Sequence, residues 1–266
     1  CVVGREAVGE WHAREQTEES IAKAIRWDPG NGAHYAARAR ALQNSMSGSE
    51  VGEVVRLWET VVRFNPKRAR WWAELGGAYE WAGRPDDALR AFERARELFP
   101  RSPEINWKLG NFYLRTGRNA EALEALRRAL GSDPEIGRAV FDLVWRAGYE
   151  NREMLDKLLS GDRVSLVAYL NFLVETKRID AAKETWAPLI ARGQKFPVQA
   201  AFPYLDALIQ QGQSEELRQA WAEINGQLLG GARPTESDGN EITNGGFEGE
   251  ILNGGLDWRL IPTEGV

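Results

Sequence analysis

Reactive side chains are scarce in this sequence. There are two histidines, His12 and His34, and one cysteine, Cys1, in 266 residues. A structural zinc cage needs four thiolate or imidazole ligands, and a nucleophilic triad needs a histidine beside an acid and a nucleophile. No Gly-x-Ser-x-Gly elbow, Walker loop, His-Glu-x-x-His or Cys-x-x-Cys occurs. Gly30-Asn31-Gly32 reads as a turn after a helix-ending proline. The pairs Asp86/Asp87 and Glu215/Glu216 read as helix openings, where negative charge meets the positive end of the dipole. Lys67, Arg68 and Arg70 read as a solvated turn, and both histidines as solvent-facing or capping. The reading is a non-enzyme with no cofactor and no metal. The abundant chemistry is aromatic, with 11 tryptophans. Trp107 and Phe141 are 34 residues apart, and so are Asn111 and Trp145. Aromatic rings anchor a ligand by apolar burial, and an amide bonds an extended peptide backbone. Their spacing sets these four residues apart.

The elements that carry them repeat. Leu75, Gly76, Tyr79, Gly83, Ala88, Ala95 and Pro100 each recur at an offset of 34, as Leu109, Gly110, Tyr113, Gly117, Ala122, Ala129 and Pro134. Phe92 becomes Leu126 at the same offset. Gly76 and Gly110 allow two helices to approach, with Ala88, Ala95, Ala122 and Ala129 facing them. Gly83 and Gly117 suit a turn of positive φ, and Pro100 and Pro134 stop the second helix.

With Trp72 opening the first helix, this pattern resembles the tetratricopeptide repeat (TPR) family, most clearly over 69–134. The resemblance implies an all-α fold, a right-handed superhelix of antiparallel helix pairs whose first helices line a concave groove. It implies that Trp107, Asn111, Phe141 and Trp145 project into that groove and hold a protein or extended peptide. TPR proteins that clamp a C-terminal carboxylate use Lys, Asn and Arg there; here Asn111 fits, but Trp107 stands where the lysine would be.

Looser copies extend both ways. Val2–His12 with Glu15–Trp27, and Tyr35–Ser45 with Val51–Phe64, read as earlier pairs, with three residues inserted near Ser47–Ser49. Downstream, Gly137–Ala147 keeps Leu143 at the Leu75/Leu109 position and is followed by a short helix near Arg152–Leu159. Ser165–Glu175 pairs with Ile179–Arg192, where Pro188 predicts a kink, and Val198–Gln210 pairs with Ser214–Gln227. Trp58, Trp186 and Trp221 read as inter-helix core. The expected organisation is a helical repeat domain over 1–228 of about six pairs, a linker over 229–239, and a different object over 240–266.

That last segment is acidic, and Leu256, Trp258 and Leu260 alternate with Asp257 and Arg259 in a strand pattern. Asn244-Gly-Gly-Phe-Glu followed by Gly-Gly-x-Asp-Trp resembles the opening of a carbohydrate-binding-like β-sandwich of the galactose-binding jelly-roll kind, truncated here. Repeats followed by such a tail also resemble bacterial envelope-associated TPR proteins, which implies an envelope or exopolysaccharide setting rather than the cytoplasm. Cys1 in place of Met reads as a truncated chain rather than an acylated terminus. The net charge of −5 runs against nucleic acid as a partner, and no apolar run is long enough to span a membrane. The expected function is a non-catalytic scaffold for protein–protein interaction. The alternative is a positioning module for a glycan-binding sandwich.

Overall fold

The computed structural model describes residues 17–45, 50–159, 163–193, 195–229 and 249–260. The expected Val2–His12 helix, His12, most of the inserted turn, the linker and the Asn244 run lie outside the described residues. Among those described, every regular element is a helix, as the 34-residue pattern requires. The chain divides into two compact units, Cys1–Ser132 and Asp133–Val266.

In the first unit, α1 (Glu18–Trp27) precedes three pairs. These are α2 (Gly32–Asn44) with α3 (Val51–Phe64), α4 (Ala69–Trp81) with α5 (Pro85–Leu98), and α6 (Pro103–Arg115) with α7 (Asn119–Ser132). Local chemistry starts the helices. Thr17 accepts the Ser20 N–H at 3.2 Å and Ser102 accepts that of Ile105 at 3.3 Å. Pro85 and Pro103 take first-turn positions that need no N–H donor, and Asp86 and Asp87 follow Pro85 in the first turn. A Cβ on Gly76 would lie 2.8 Å from Phe92 Cδ1, and one on Gly110 would lie 2.7 Å from Leu126 Cδ2. Glycine at both positions is what lets each pair close.

One packing module appears twice. The Tyr79 hydroxyl donates to Glu59 Oε1 at 2.9 Å while the Arg84 guanidinium lies 4.5 Å from the ring centroid. The Tyr113 hydroxyl donates to Glu93 Oε1 at 3.4 Å, with Arg118 at 4.6 Å. Burial, then the Glu59 carboxylate, pushes the Tyr79 pKa up to about 12.

The second unit holds α8 (Gly137–Arg146), the short α9 (Asn151–Glu153) that continues as a π turn over Met154–Leu158, α10 (Arg163–Glu175) with α11 (Ile179–Ala191), and α12 (Phe202–Gln210) with α13 (Ser214–Gln227). Pro188 stands inside α11, which runs on to Ala191. Five inter-helix connections, spread over both units, use the same turn: the second residue after the first helix has positive φ, and the next N–H returns to a carbonyl five residues back. Gly83, Gly117, Gly148 and Gly212 hold this place, and Lys177 holds it between α10 and α11 at φ 59°.

Trp58, Trp186 and Trp221 are buried core residues, as expected. Two expectations change. His34 is buried near Asp28, Nε2 to Oδ2 3.8 Å, and does not face solvent. Residues 256–260 form no strand. The N–H groups of Leu252 and Trp258 donate to the Asp257 carboxylate at 2.7 and 2.9 Å, and that of Leu260 donates to Asn253 Oδ1 at 2.8 Å. The donors a β ladder would use are satisfied within the segment, which folds as a turn.

Candidate functional site

The four candidate residues fall in different units, two in each. In the first unit, Trp107 and Asn111 lie half-buried on α6. Asn111 Nδ2 donates to the Trp107 carbonyl at 2.9 Å, leaving Oδ1 and the second N–H to offer a ligand. Alongside runs a charge ladder between the first helices α4 and α6. Lys108 Nζ reaches Glu74 at 3.0 Å, Arg115 forks onto both oxygens of Glu80 at 2.6 and 2.8 Å, and Arg70 stands 4.0 Å from Glu104. Each rung spans 34 or 35 residues, so oppositely charged residues at the repeat offset would have disclosed it. These pairs are partly to well exposed; their contribution is register between repeats, with under ~1 kcal/mol of stability apiece.

In the second unit the register slips. Gly148 follows Gly117 by 31 residues, because α8 has 10 residues where α6 has 13. Counting back from this turn places Val140 opposite Leu109, Phe141 opposite Gly110 and Val144 opposite Tyr113, and all six are buried. Leu143, expected at the Leu109 position, is only half-buried. Phe141 therefore stands where the regular repeat has its close-approach glycine. It is 1% exposed, 5.0 Å from the Tyr169 ring and 5.6 Å from that of Phe172. It is a packing residue of the second unit and does not line a groove.

Trp145 is half-buried and reaches an open surface. Its Nε1 donates to the Tyr169 hydroxyl at 3.1 Å, and the Arg178 guanidinium lies 4.8 Å from its ring centroid. The Tyr169 hydroxyl passes its own proton to Asn151 Oδ1 at 2.8 Å. Asn151 Nδ2 donates to Glu184 Oε2 at 2.8 Å and to the Ala181 carbonyl at 3.2 Å. Burial raises the Tyr169 pKa well beyond the ordinary phenol range, so this hydroxyl stays a donor at every physiological pH. Hydrogen bonds at each member, centred on the buried Tyr169 and Asn151, hold the side chains in one arrangement.

Above this network opens a cleft of about 790 Å³, lined among others by Trp145, Asn151, Leu155, Glu184, Pro188 and Arg192. Its origin is a shortage of helix. The second helices α3, α5 and α7 have 14 residues each, whereas the α9 segment has three α-helical residues and five in the π turn. The missing six residues correspond to roughly 9 Å of helix at about 1.5 Å per residue. On the opposite wall, Pro188 brings no N–H to the Glu184 carbonyl. The cleft thus combines an aromatic edge, the apolar side chains of Leu155 and Pro188, the carboxylates of Glu150, Asp156 and Glu184, and the guanidinium groups of Arg152 and Arg192. Its volume falls within the roughly 300–1,000 Å³ typical of ligand sites. The short helix was readable in the sequence, but the convergence of Asn151, Leu155 and Glu184 on Trp145 was not.

Residues 81–135 match the tetratricopeptide repeat family model. No curated protein matches the chain. Several solved structures are similar at low identity. YrrB, described as a TPR protein with an unusual peptide-binding site, is 14% identical over 77% of this chain and 91% of its own, with a TM-score of 0.39. PilW, a widely conserved type IV pilus biogenesis factor, is 14% identical over 85% and 92%, with a TM-score of 0.42. Yeast Tom70 is 16% identical over 73% of this chain and 43% of its own, with a TM-score of 0.43. Similarity at this level speaks to neither the ligand nor the partner of this chain.

Proposed function

We propose that this protein is a scaffold that binds an extended segment of a partner protein, and that the Trp145 cleft is the station that grips it. The observation that carries the reading is a cleft of about 790 Å³ whose floor is a rigid hydrogen-bonded network and whose walls are mixed apolar and polar. A side chain of the partner segment packs on Trp145, Leu155 and Pro188, while its backbone meets the Glu184 carboxylate and carbonyl. Trp107 and Asn111 form a second contact surface, in the first unit, with the Trp107 ring as anchor and Asn111 Oδ1 as acceptor. Phe141 acts beneath the surface by holding Tyr169. An envelope or exopolysaccharide-related assembly remains the setting we favour, on the resemblance of the tail alone. No observation favours the glycan-binding alternative: the Asn244 run lies outside the described residues, and 249–260 turns without strands.

The test is selection of peptides from a random library on the full chain, followed by titration of the enriched peptides. Trp145→Ala is expected to weaken them by about 2 kcal/mol, close to 30-fold, the usual effect of losing an aromatic anchor. Trp107→Ala weakens, by a smaller factor, the peptides that bind the first-unit surface. Equal affinity for wild type and both variants, each folded by circular dichroism, would overturn the reading.

A further inference from the structure

The face formed by α12 and α13 is already occupied, by the chain's own residues 249–260. A helical repeat buries its apolar face against the next repeat. After α13, the described residues that cover this face are not a helix but a turn containing Asn253-Gly254-Gly255-Leu256-Asp257. The two glycines are buried. A Cβ on Gly254 would strike the Phe202 ring, and one on Gly255 would lie 2.5 Å from Trp221 Cζ3 and 3.1 Å from Leu205 Cδ1. Gly255 also holds φ 65°. Bare backbone is therefore laid on aromatic carbon, and a side chain at either place would strike a ring, the half-buried Phe202 or the buried Trp221. The 7%-exposed Asp257 shapes the turn through the two N–H groups it accepts. Arg259 then pairs with Asp206 on α12. Beside that pair a pocket of about 240 Å³ remains, lined by Asp206, Ile209, Gln210 and Arg259. Trp258, Leu260 and Ile209 stay exposed.

A cover needs only apolar bulk. This one uses a glycine pair, a turn-forming aspartate and a charge pair, which is the chemistry of a recognised ligand. We propose that the α12–α13 face is a docking site for a Gly-Gly-x-Asp-x-Arg turn, that residues 254–259 are its resident occupant, and that a partner bearing the same turn displaces it. The turn is preorganised by its own hydrogen bonds, so little ordering opposes its binding. Gly-Gly is the specificity element by steric exclusion, and Asp206 selects the arginine. This inference does not depend on the Trp145 cleft.

The experiment uses the full chain and a fluorescent synthetic peptide of residues 249–260, read by anisotropy. In wild type the tethered segment competes at high effective concentration. In the variant Gly254→Leu/Gly255→Leu that competition ends, and the peptide is expected to bind at least about tenfold more tightly than to wild type. A peptide carrying Gly255→Leu binds neither chain. Asp206→Lys added to the variant abolishes binding, and a peptide carrying Arg259→Glu restores it. Should the double leucine variant not fold, Arg259→Glu in the full chain loosens the segment without a clash, and the same increase is expected. Equal binding of the peptide to wild type and to a folded variant overturns the proposal. So does no binding at millimolar peptide, or self-association of the variant without peptide binding, which would make the face a surface for packing helices.

Discussion

The two units solve the same packing problem differently. In the first, glycine stands where the paired helices meet: Gly76 lies under Phe92 and Gly110 under Leu126. The second helices are all 14 residues long, and the Glu–Tyr–Arg module is copied from one pair to the next. In the second unit, α8 loses three residues, Phe141 replaces glycine at the close approach, and the following helix is cut to eight residues. Regular repeats bury most of their apolar faces against one another and leave equivalent surfaces. The departure from regularity leaves a cleft, because a large side chain fills the space under the helices while the missing turns vacate the space above.

The largest effect should come from exchanging the two solutions. Phe141→Ala is expected to destabilise the second unit by ~3–5 kcal/mol, the range for removing a buried aromatic ring. Gly110→Ala, at the equivalent place in the first unit, should cost ~1–3 kcal/mol by overpacking against Leu126. Urea unfolding of the two variants measures both. If Phe141→Ala proved the milder, the three-residue register shift would be wrong.

A smaller effect separates the inter-helix turns. Gly83, Gly117, Gly148 and Gly212 adopt positive φ freely, whereas Lys177 does so with a Cβ. Replacing Lys177 by glycine should stabilise the protein by about 1 kcal/mol, the cost of left-handed backbone for an ordinary residue. Gly117→Lys should destabilise by a similar amount. A lower unfolding midpoint for Lys177→Gly would show that the side chain contributes more than the strain it causes.

A further effect is confined to alkaline solution and to the first unit. The Tyr79 pKa is about 12 in the folded chain against 10.0 unfolded. The folded state therefore holds this proton more tightly. Its contribution is complete below about pH 10 and is lost as pH rises from 10 towards 12. Tyr79→Phe should flatten the fall of the urea midpoint in that window and leave its pH dependence below pH 9 unchanged. An unaltered alkaline slope would show that the folded chain does not hold this proton more tightly than the unfolded one.

The sequence by itself determined what depends on short-range spacing. The offset of 34, the prolines and the turn glycines locate the helix pairs, because helix length and turn geometry are set within a few residues. Cys and His counts bounded the chemistry, and Trp58, Trp186 and Trp221 were legible as core. The shortness of the helix after Gly148 was legible too. The candidate set was legible only in part. Trp145 does reach a cleft and Trp107 a surface, but Phe141 was carried across Pro134 at an unchanged offset, and three residues had been lost inside the helix itself.

Only the tertiary structure decided which face Phe141 shows, since a three-residue deletion rotates a helix face by about 60° relative to its old register. It decided that Tyr169, Asn151 and Glu184, widely separated in sequence, converge on Trp145. It decided that the alternation at Leu256–Leu260 yields a turn. A period-2 pattern makes a strand only when a neighbour takes its N–H groups; here Asp257 and Asn253 take them first, and two glycines let the backbone settle on Phe202 and Trp221.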